Sequence, residues 1–113
     1  MKIVKEKLIP SELNEMAARI FGNMVKAVAD IDRELLAVDA ELHADLEALL
    51  LQDGSKQKDL WGINLYPEIP GNDFVEFDSM INLRPSQGNR SRGVENEATR
   101  AKILALVQKR VAR

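Results

Sequence analysis

The chain has no cysteine. Disulfides and thiolate metal sites are therefore excluded, and a reducing, cytoplasmic setting fits. It is poor in aromatics, at 4 % of residues, with a single Trp and a single Tyr. That leaves little for stacking on exposed bases, which counts against single-stranded nucleic acid as a partner. It lacks a large net charge: 16 Lys and Arg against 18 Asp and Glu give −2. Such a balance offers no bulk attraction to nucleic acid or to an anionic membrane. Long apolar runs are missing as well. The opening MKIVKEKLIP is interrupted by Lys5, Glu6 and Lys7, so it does not read as a signal peptide. No stretch approaches the ~20 apolar residues of a membrane span. One histidine leaves one imidazole for metal or proton chemistry.

What is present is the composition of an ordinary soluble domain, 45 % hydrophobic and 30 % charged. A chain of 113 residues reads as one domain over 1–113. At that size it can bury roughly 60 % or more of its unfolded surface without staples.

Phe74 to Gly93, FVEFDSMINLRPSQGNRSRG, is the most informative stretch. Its first half alternates. Val75, Phe77, Ile81 and Leu83 take one side, and Glu76, Asp78, Asn82 and Arg84 the other. That period of two predicts a half-buried strand. Its second half, Arg84 to Arg92, has three arginines, no acid, and turn-forming residues between them. A strand that delivers a donor-rich loop to one place is a reasonable binding-site design.

Elsewhere, a weak alternation over Lys2 to Ile9 suggests an edge strand or a lead-in. Pro10 and Ser11 open a helix carrying Leu13, Met16, Ala17, Ile20 and Phe21 at helical spacing, stopped by Gly22. Met24 to Ile31 reads as a strand, Asp32-Arg33 as a turn, and Glu34 to Glu41 as the return strand. A short helix from about Ala44 to Gln52 follows. One long helix from Asp32 to Gln52 is the alternative, because Leu35, Val38, Leu42, Leu46 and Leu49 also share a helical face. Leu60 to Tyr66 predicts a buried strand with Trp61 in the core. Pro67 to Asp73 is a loop joining it to the next strand as a hairpin. Glu97 to Val111 closes the chain as a helix, with Ile103, Leu104, Val107 and Val111 as its stripe. The order α-β-β-α-β-β-α predicts a two-layer α+β fold. Three helices pack one face of a four-stranded antiparallel sheet, and the other face is left open to solvent or a partner.

Two sites are expected on this scheme. The loop offers Arg84, Arg90 and Arg92 as fork-shaped donors, with Asn89 beside them and Asn82 and Asp78 as a floor, for a small anionic ligand. It is not a Walker loop, since no Gly-Lys-Ser/Thr is present. The open sheet face collects acids around the one histidine. Eight acids and one base lie between Asp30 and Asp53. Glu41, His43 and Asp78 are the candidate ligands of a divalent metal for a metal-assisted hydrolase. A third reading is a homo-oligomer joined through the open sheet face. Ser79 lacks the strand-turn-helix elbow of a serine nucleophile.

Three segments together carry a resemblance: ELHAD at Glu41 to Asp45, DLWGINLYP at Asp59 to Pro67, and DSMINLRPSQGNRS at Asp78 to Ser91. They resemble a family of short prokaryotic proteins catalogued only as a domain of unknown function. The similarity covers about Met24 to the last helix. It implies a stand-alone prokaryotic domain and transfers no activity, substrate or catalytic residue.

Overall fold

The computed structural model describes residues 1–113. Eight regular elements follow one another: β1 (Lys2–Val4), α1 (Pro10–Arg19), β2 (Val25–Asp30), β3 (Leu35–Val38), α2 (His43–Gln52), β4 (Leu60–Leu65), β5 (Val75–Glu76) and α3 (Glu97–Arg110). The fold is α+β, with three α-helices and one antiparallel sheet. The sheet has five strands, not four, in the order β1-β3-β2-β4-β5. The extra strand is the weakly alternating lead-in, which pairs with β3 from Lys2↔Val38 to Val4↔Leu36. No helix is long and apolar enough to cross a membrane.

The hairpin of β2 and β3 forms, and the long helix from Asp32 does not. A short acidic turn decides between them. Asp30 is fully buried, and one carboxylate oxygen accepts the backbone N–H groups of Asp32 and Arg33 at 3.0 and 2.9 Å. The other oxygen accepts the Ser55 hydroxyl at 2.6 Å. Arg33 reaches Ser55 at 2.8 Å and Asp53 at 2.8 Å, tying this turn to the end of α2. Glu34 takes a positive φ of 57° to turn the chain. Asp30 thus builds a turn and does not stand on an open polar face.

The second sheet face is not open, which corrects the two-layer expectation. One side of β2, β3 and β4 (Ala27, Leu36, Trp61, Ile63 among others) packs under α1 and α3 through Leu13, Met16, Ile103 and Val107. The other side (Val28, Leu35, Ala37, Leu60) packs under α2 through Leu46 and Leu50. β4 is consequently buried along its whole length. That is why LWGINL reads as a continuous apolar run without clear alternation. A homo-oligomer joined through an open sheet face has no such face to use. In α1, Pro10 is the first helical residue and Ile9 precedes it, so Ser11 lies inside the helix rather than capping it. In α3 the inner stripe takes Leu106 together with Ile103 and Val107. Leu8, fully buried, ties the two chain ends together. Its N–H donates to Arg110 O at 2.7 Å, and its carbonyl accepts from Ala112 N at 2.9 Å.

The long strand expected over residues 74 to 84 is absent. β5 ends at Glu76 after two residues. Phe77 still packs on the α1/α3 side, but Ile81, expected beside it, packs on the α2 side. The chain has crossed from one face of the sheet to the other, past the edge of β4. It crosses directly over Gly62, where an added Cβ would sit 2.5 Å from the Ser79 Cβ. A short 3-10 turn, Met80–Asn82, follows. There the Asn82 side chain does the work of a strand: Oδ1 accepts from Gly62 N at 2.8 Å, and Nδ2 donates to Gly62 O at 2.9 Å. Gly62→Ala is expected to lower stability by about 1–3 kcal/mol through overpacking. Asn82→Ala should cost at least as much, because it strands two buried main-chain groups at roughly 1–3 kcal/mol each. Urea denaturation checks both, and an unchanged midpoint for either variant would show that this crossing is not held as described.

Candidate functional site

The loop after the crossing is built from its buried residues outward. Arg84 and Asn89 pair as an isolated antiparallel bridge, with N···O distances of 2.8 and 3.1 Å. Pro85–Gln87 form a 3-10 turn between them, and Gly88 closes it at φ 79°, a conformation glycine adopts without strain. Asn89, 4 % exposed, donates through Nδ2 to the carbonyls of Asn82 (2.7 Å), Gly93 (2.8 Å) and Ser91 (3.2 Å). Its Oδ1 accepts from Glu95 N at 2.9 Å. Asn89 therefore sets the shape of the loop from within.

Arg84 is buried, at 7 % exposure. Nε donates to Ile81 O at 3.0 Å, and Nη1 donates to Gln57 O at 2.9 Å. Nη2 donates to Leu60 O. The guanidinium lies 4.5 Å from the Trp61 ring centre, with the Glu47 carboxylate 3.9 Å away. Burial draws its pKa below the ordinary arginine value, and Glu47 opposes that. Its donors are committed inside the protein, so Arg84 holds the loop to β4. Asn82 is likewise internal, fully buried against Gly62 and the Arg92 carbonyl.

The remaining expected ligand contacts lie outside. Arg92, exposed, and Asp78, half-buried, pair at 2.7 Å. Arg90 is exposed, and its guanidinium has no ion-pair partner. Its backbone N–H and that of Ser91 donate to one Glu95 carboxylate oxygen, at 2.5 and 2.9 Å. Behind the loop opens a polar cleft of about 470 Å³, walled by Lys58, Trp61, Gln87, Asn89, Glu95, Asn96 and Thr99. Asn96 caps α3, its Oδ1 accepting from Thr99 N at 2.9 Å, so the N-terminal end of α3 borders this cleft. The Trp61 indole N–H is buried without a hydrogen-bond partner in the protein. Of the ligand contacts expected from the sequence, only Asn89 lines this cleft, beside Trp61, which was expected in the core. Lys58, Glu95, Asn96 and Thr99 were missed because they lie outside the Arg84–Arg92 run, and Gln87, inside it, was read only as a turn residue. A second cleft, about 350 Å³, lies between the start of α1 and the Pro67–Pro70 segment, with Ile69, Phe74 and Arg113 in its walls. It is less polar and holds none of the sequence-predicted residues.

The acidic half of the expected site is dispersed. His43 begins α2 instead of lying in a strand, so Glu41, His43 and Asp45 do not share a sheet face. His43 is buried, and Nε2 lies 2.8 Å from Ile63 O. A carbonyl only accepts, so Nε2 carries the proton and donates. Glu41 is exposed ahead of the helix. Asp78 is near enough to act on His43 electrostatically, but it pairs with Arg92. No three His, Asp or Glu side chains converge as a metal-ligand group.

Residues 2–110 match the family described as "Protein of unknown function (DUF5674)". The chain belongs to that family. The match reaches well ahead of Met24 and includes β1 and α1. No curated protein and no solved structure matches the chain.

Two outcomes follow from these buried groups. Arg84→Met leaves the Ile81 and Leu60 carbonyls and Glu47 without a partner, so a loss of at least ~3 kcal/mol is expected. Arg84→Lys should restore little, since a single ammonium cannot replace a fork of donors. Chemical denaturation reads both, and near wild-type stability in the Lys variant would overturn the clamp. His43 titrates below its ordinary value because burial disfavours the charged ring. The Ile63 bond and Asp78 oppose that shift, and Lys26 and Arg92 add to it. A depressed folded pKa means that the stabilisation is complete above the unfolded value of about 6.5 and is lost as pH falls through the folded one. The melting temperature should therefore drop from pH 7.5 to pH 5.5, and less steeply in His43→Gln. Glu12 and Glu34 are held below the ordinary carboxylate value by hydrogen bonds from Lys2 and Lys109. They act in a separate window, below about pH 4.3.

Proposed function

We propose that the protein is a binding module for a small anionic ligand, held in the cleft between the 84–92 loop and the start of α3. The observation that carries this reading is the cleft itself. It is an open, mostly polar recess of about 470 Å³ beside a loop whose shape is fixed from within by Arg84, Asn82 and Asn89. A rigid frame with a polar recess at its rim is the usual setting of a ligand site. The anionic class is supported by Lys58 in the wall, by the N-terminal end of α3, and by Arg90, a cation with no ion-pair partner on the same loop. One carboxylate oxygen of Glu95 accepts from two backbone amides of the same loop. The contacts divide accordingly. Lys58, Thr99 and Arg90 meet the ligand, and Arg84, Asn82 and Asn89 hold the frame. The metal-assisted hydrolase has no converged donor set to support it.

The test is a thermal-shift screen against inorganic phosphate, sugar phosphates, nucleotides and small carboxylates. A ligand at a hundred times its dissociation constant adds about 2.7 kcal/mol, several degrees for a domain of this size. Lys58→Ala and Arg90→Ala are each expected to remove most of that shift while leaving the melting temperature of the free protein within about 2 °C, as surface changes do. A hit that survives both substitutions would place binding elsewhere, and no response to any anion would overturn the reading.

A further inference from the structure

Two successive backbone amides, those of Arg90 and Ser91, converge on a single carboxylate oxygen of Glu95. Converging main-chain donors of this kind form an anion seat. The seat is prepared by buried groups rather than by its occupant. Asn89 fixes the carbonyls of Asn82, Ser91 and Gly93 with one end of its amide, and the backbone of Glu95 with the other. Arg90 brings an unpaired guanidinium to the same turn. The occupant is the least committed part. Glu95 is exposed, its Oε1 makes no hydrogen bond, and its side chain borders the polar cleft.

We infer that Glu95 is a resident, exchangeable anion. The oxyanion bound by this protein, a carboxylate or a phosphate, enters by displacing Glu95 from the amides of Arg90 and Ser91. This rests on the reading of the loop and cleft as an anion-binding site, and it names the atoms that do the binding. A tethered carboxylate competes at an effective concentration in the millimolar range, typical of short flexible tethers. External anions are then held off until they exceed that level or carry further contacts to Lys58 and Arg90. Glu95 so sets a threshold and selects for ligands larger than acetate.

The experiment is a titration of the ¹⁵N-labelled full chain with inorganic phosphate, and separately with acetate, at ionic strength matched by chloride. It is run on wild type, Glu95→Ala and Glu95→Gln. The Gln variant keeps a neutral acceptor for the amides, so the loop retains its shape if Ala loosens it. The expected result is a saturable shift of the Arg90 and Ser91 amides, with an apparent dissociation constant at least about tenfold lower in both variants than in wild type. Acetate and phosphate separate a carboxylate from a phosphate ligand by which binds more tightly. Equal affinity in wild type and both variants would overturn the exchange, as would a loss of stability that neither anion restores. Shifts confined to Trp61 and Thr99 would overturn this inference and leave the cleft as the site. Silence of all four residues in every protein would overturn this inference, and the thermal-shift screen would then decide the cleft.

Discussion

The outer edge of β4 has to be satisfied without a strand beside most of it. Leu60, Gly62 and Asn64 turn main-chain groups away from β2, into a region that β5 covers only at Asn64. Unpaired polar groups there would be buried under the crossing segment, at a cost comparable to a lost hydrogen bond each. The chain solves this with side chains. Asn82 pairs with both the N–H and the carbonyl of Gly62, and Arg84 donates to the carbonyl of Leu60. Glu76, Asn82 and Arg84 thus follow one another along the edge, the first as a strand residue and the other two as substitutes for one.

That constraint explains several features that otherwise look unrelated. Gly62 has no side chain because Ser79 must pass within contact of it. Arg84 is buried because Leu60 O and Ile81 O need a donor at one point, and Gln57 O, which already accepts from Leu60 N, takes the third of its bonds. Three hydrogen bonds and the Trp61 face offset the desolvation of its charge, and Glu47 supplies a distant counter-charge. Asn89 extends the same logic one step further out, where three loop carbonyls converge on one amide. A loop of this length would ordinarily be mobile. Here it is fixed at its base by groups that have no freedom to move, so whatever stands at its rim is held in place as well.

Much of this fold was legible in the sequence, and the failures have physical causes. The β2–β3 hairpin, α2 and α3 were read near their observed bounds, except that the return strand ends at Val38 and not at Glu41. The second covered face was not seen, because α2 is short and apolar nearly all round and its partners lie on three different strands. The alternation from Val75 to Leu83 was genuine as a pattern and wrong as a strand. A period of two also arises when a segment crosses an edge, sending Phe77 to one side and Ile81 to the other while Asn82 and Arg84 turn inward. Hydrophobic periodicity reports which side chains are buried, not which face buries them. The candidate site suffered in the same way. Three arginines in nine residues look equivalent in a sequence, yet hydrogen-bond demand sorts them into one buried clamp, one paired surface residue and one free cation.

That sorting bears on how a site arises in such a small chain. Arg84 and Arg90 differ little in chemistry, and the loop around them is one piece. The first is consumed by the carbonyls that the sheet edge leaves over. The second follows Asn89, which has already taken up the inner carbonyls, so nothing in the fold claims its guanidinium. The same holds for the amides. Those of Arg84 and Asn89 close the bridge, and the next two, at Arg90 and Ser91, turn outward and meet an acid only because Glu95 lies a few residues on. On the proposed reading, the groups open to a ligand are those that remain after the edge of β4 has been satisfied. The residues that shape this rim are themselves buried: the contacts that remove Arg84 and Asn82 from the surface leave Arg90 and Ser91 exposed at the rim of the loop.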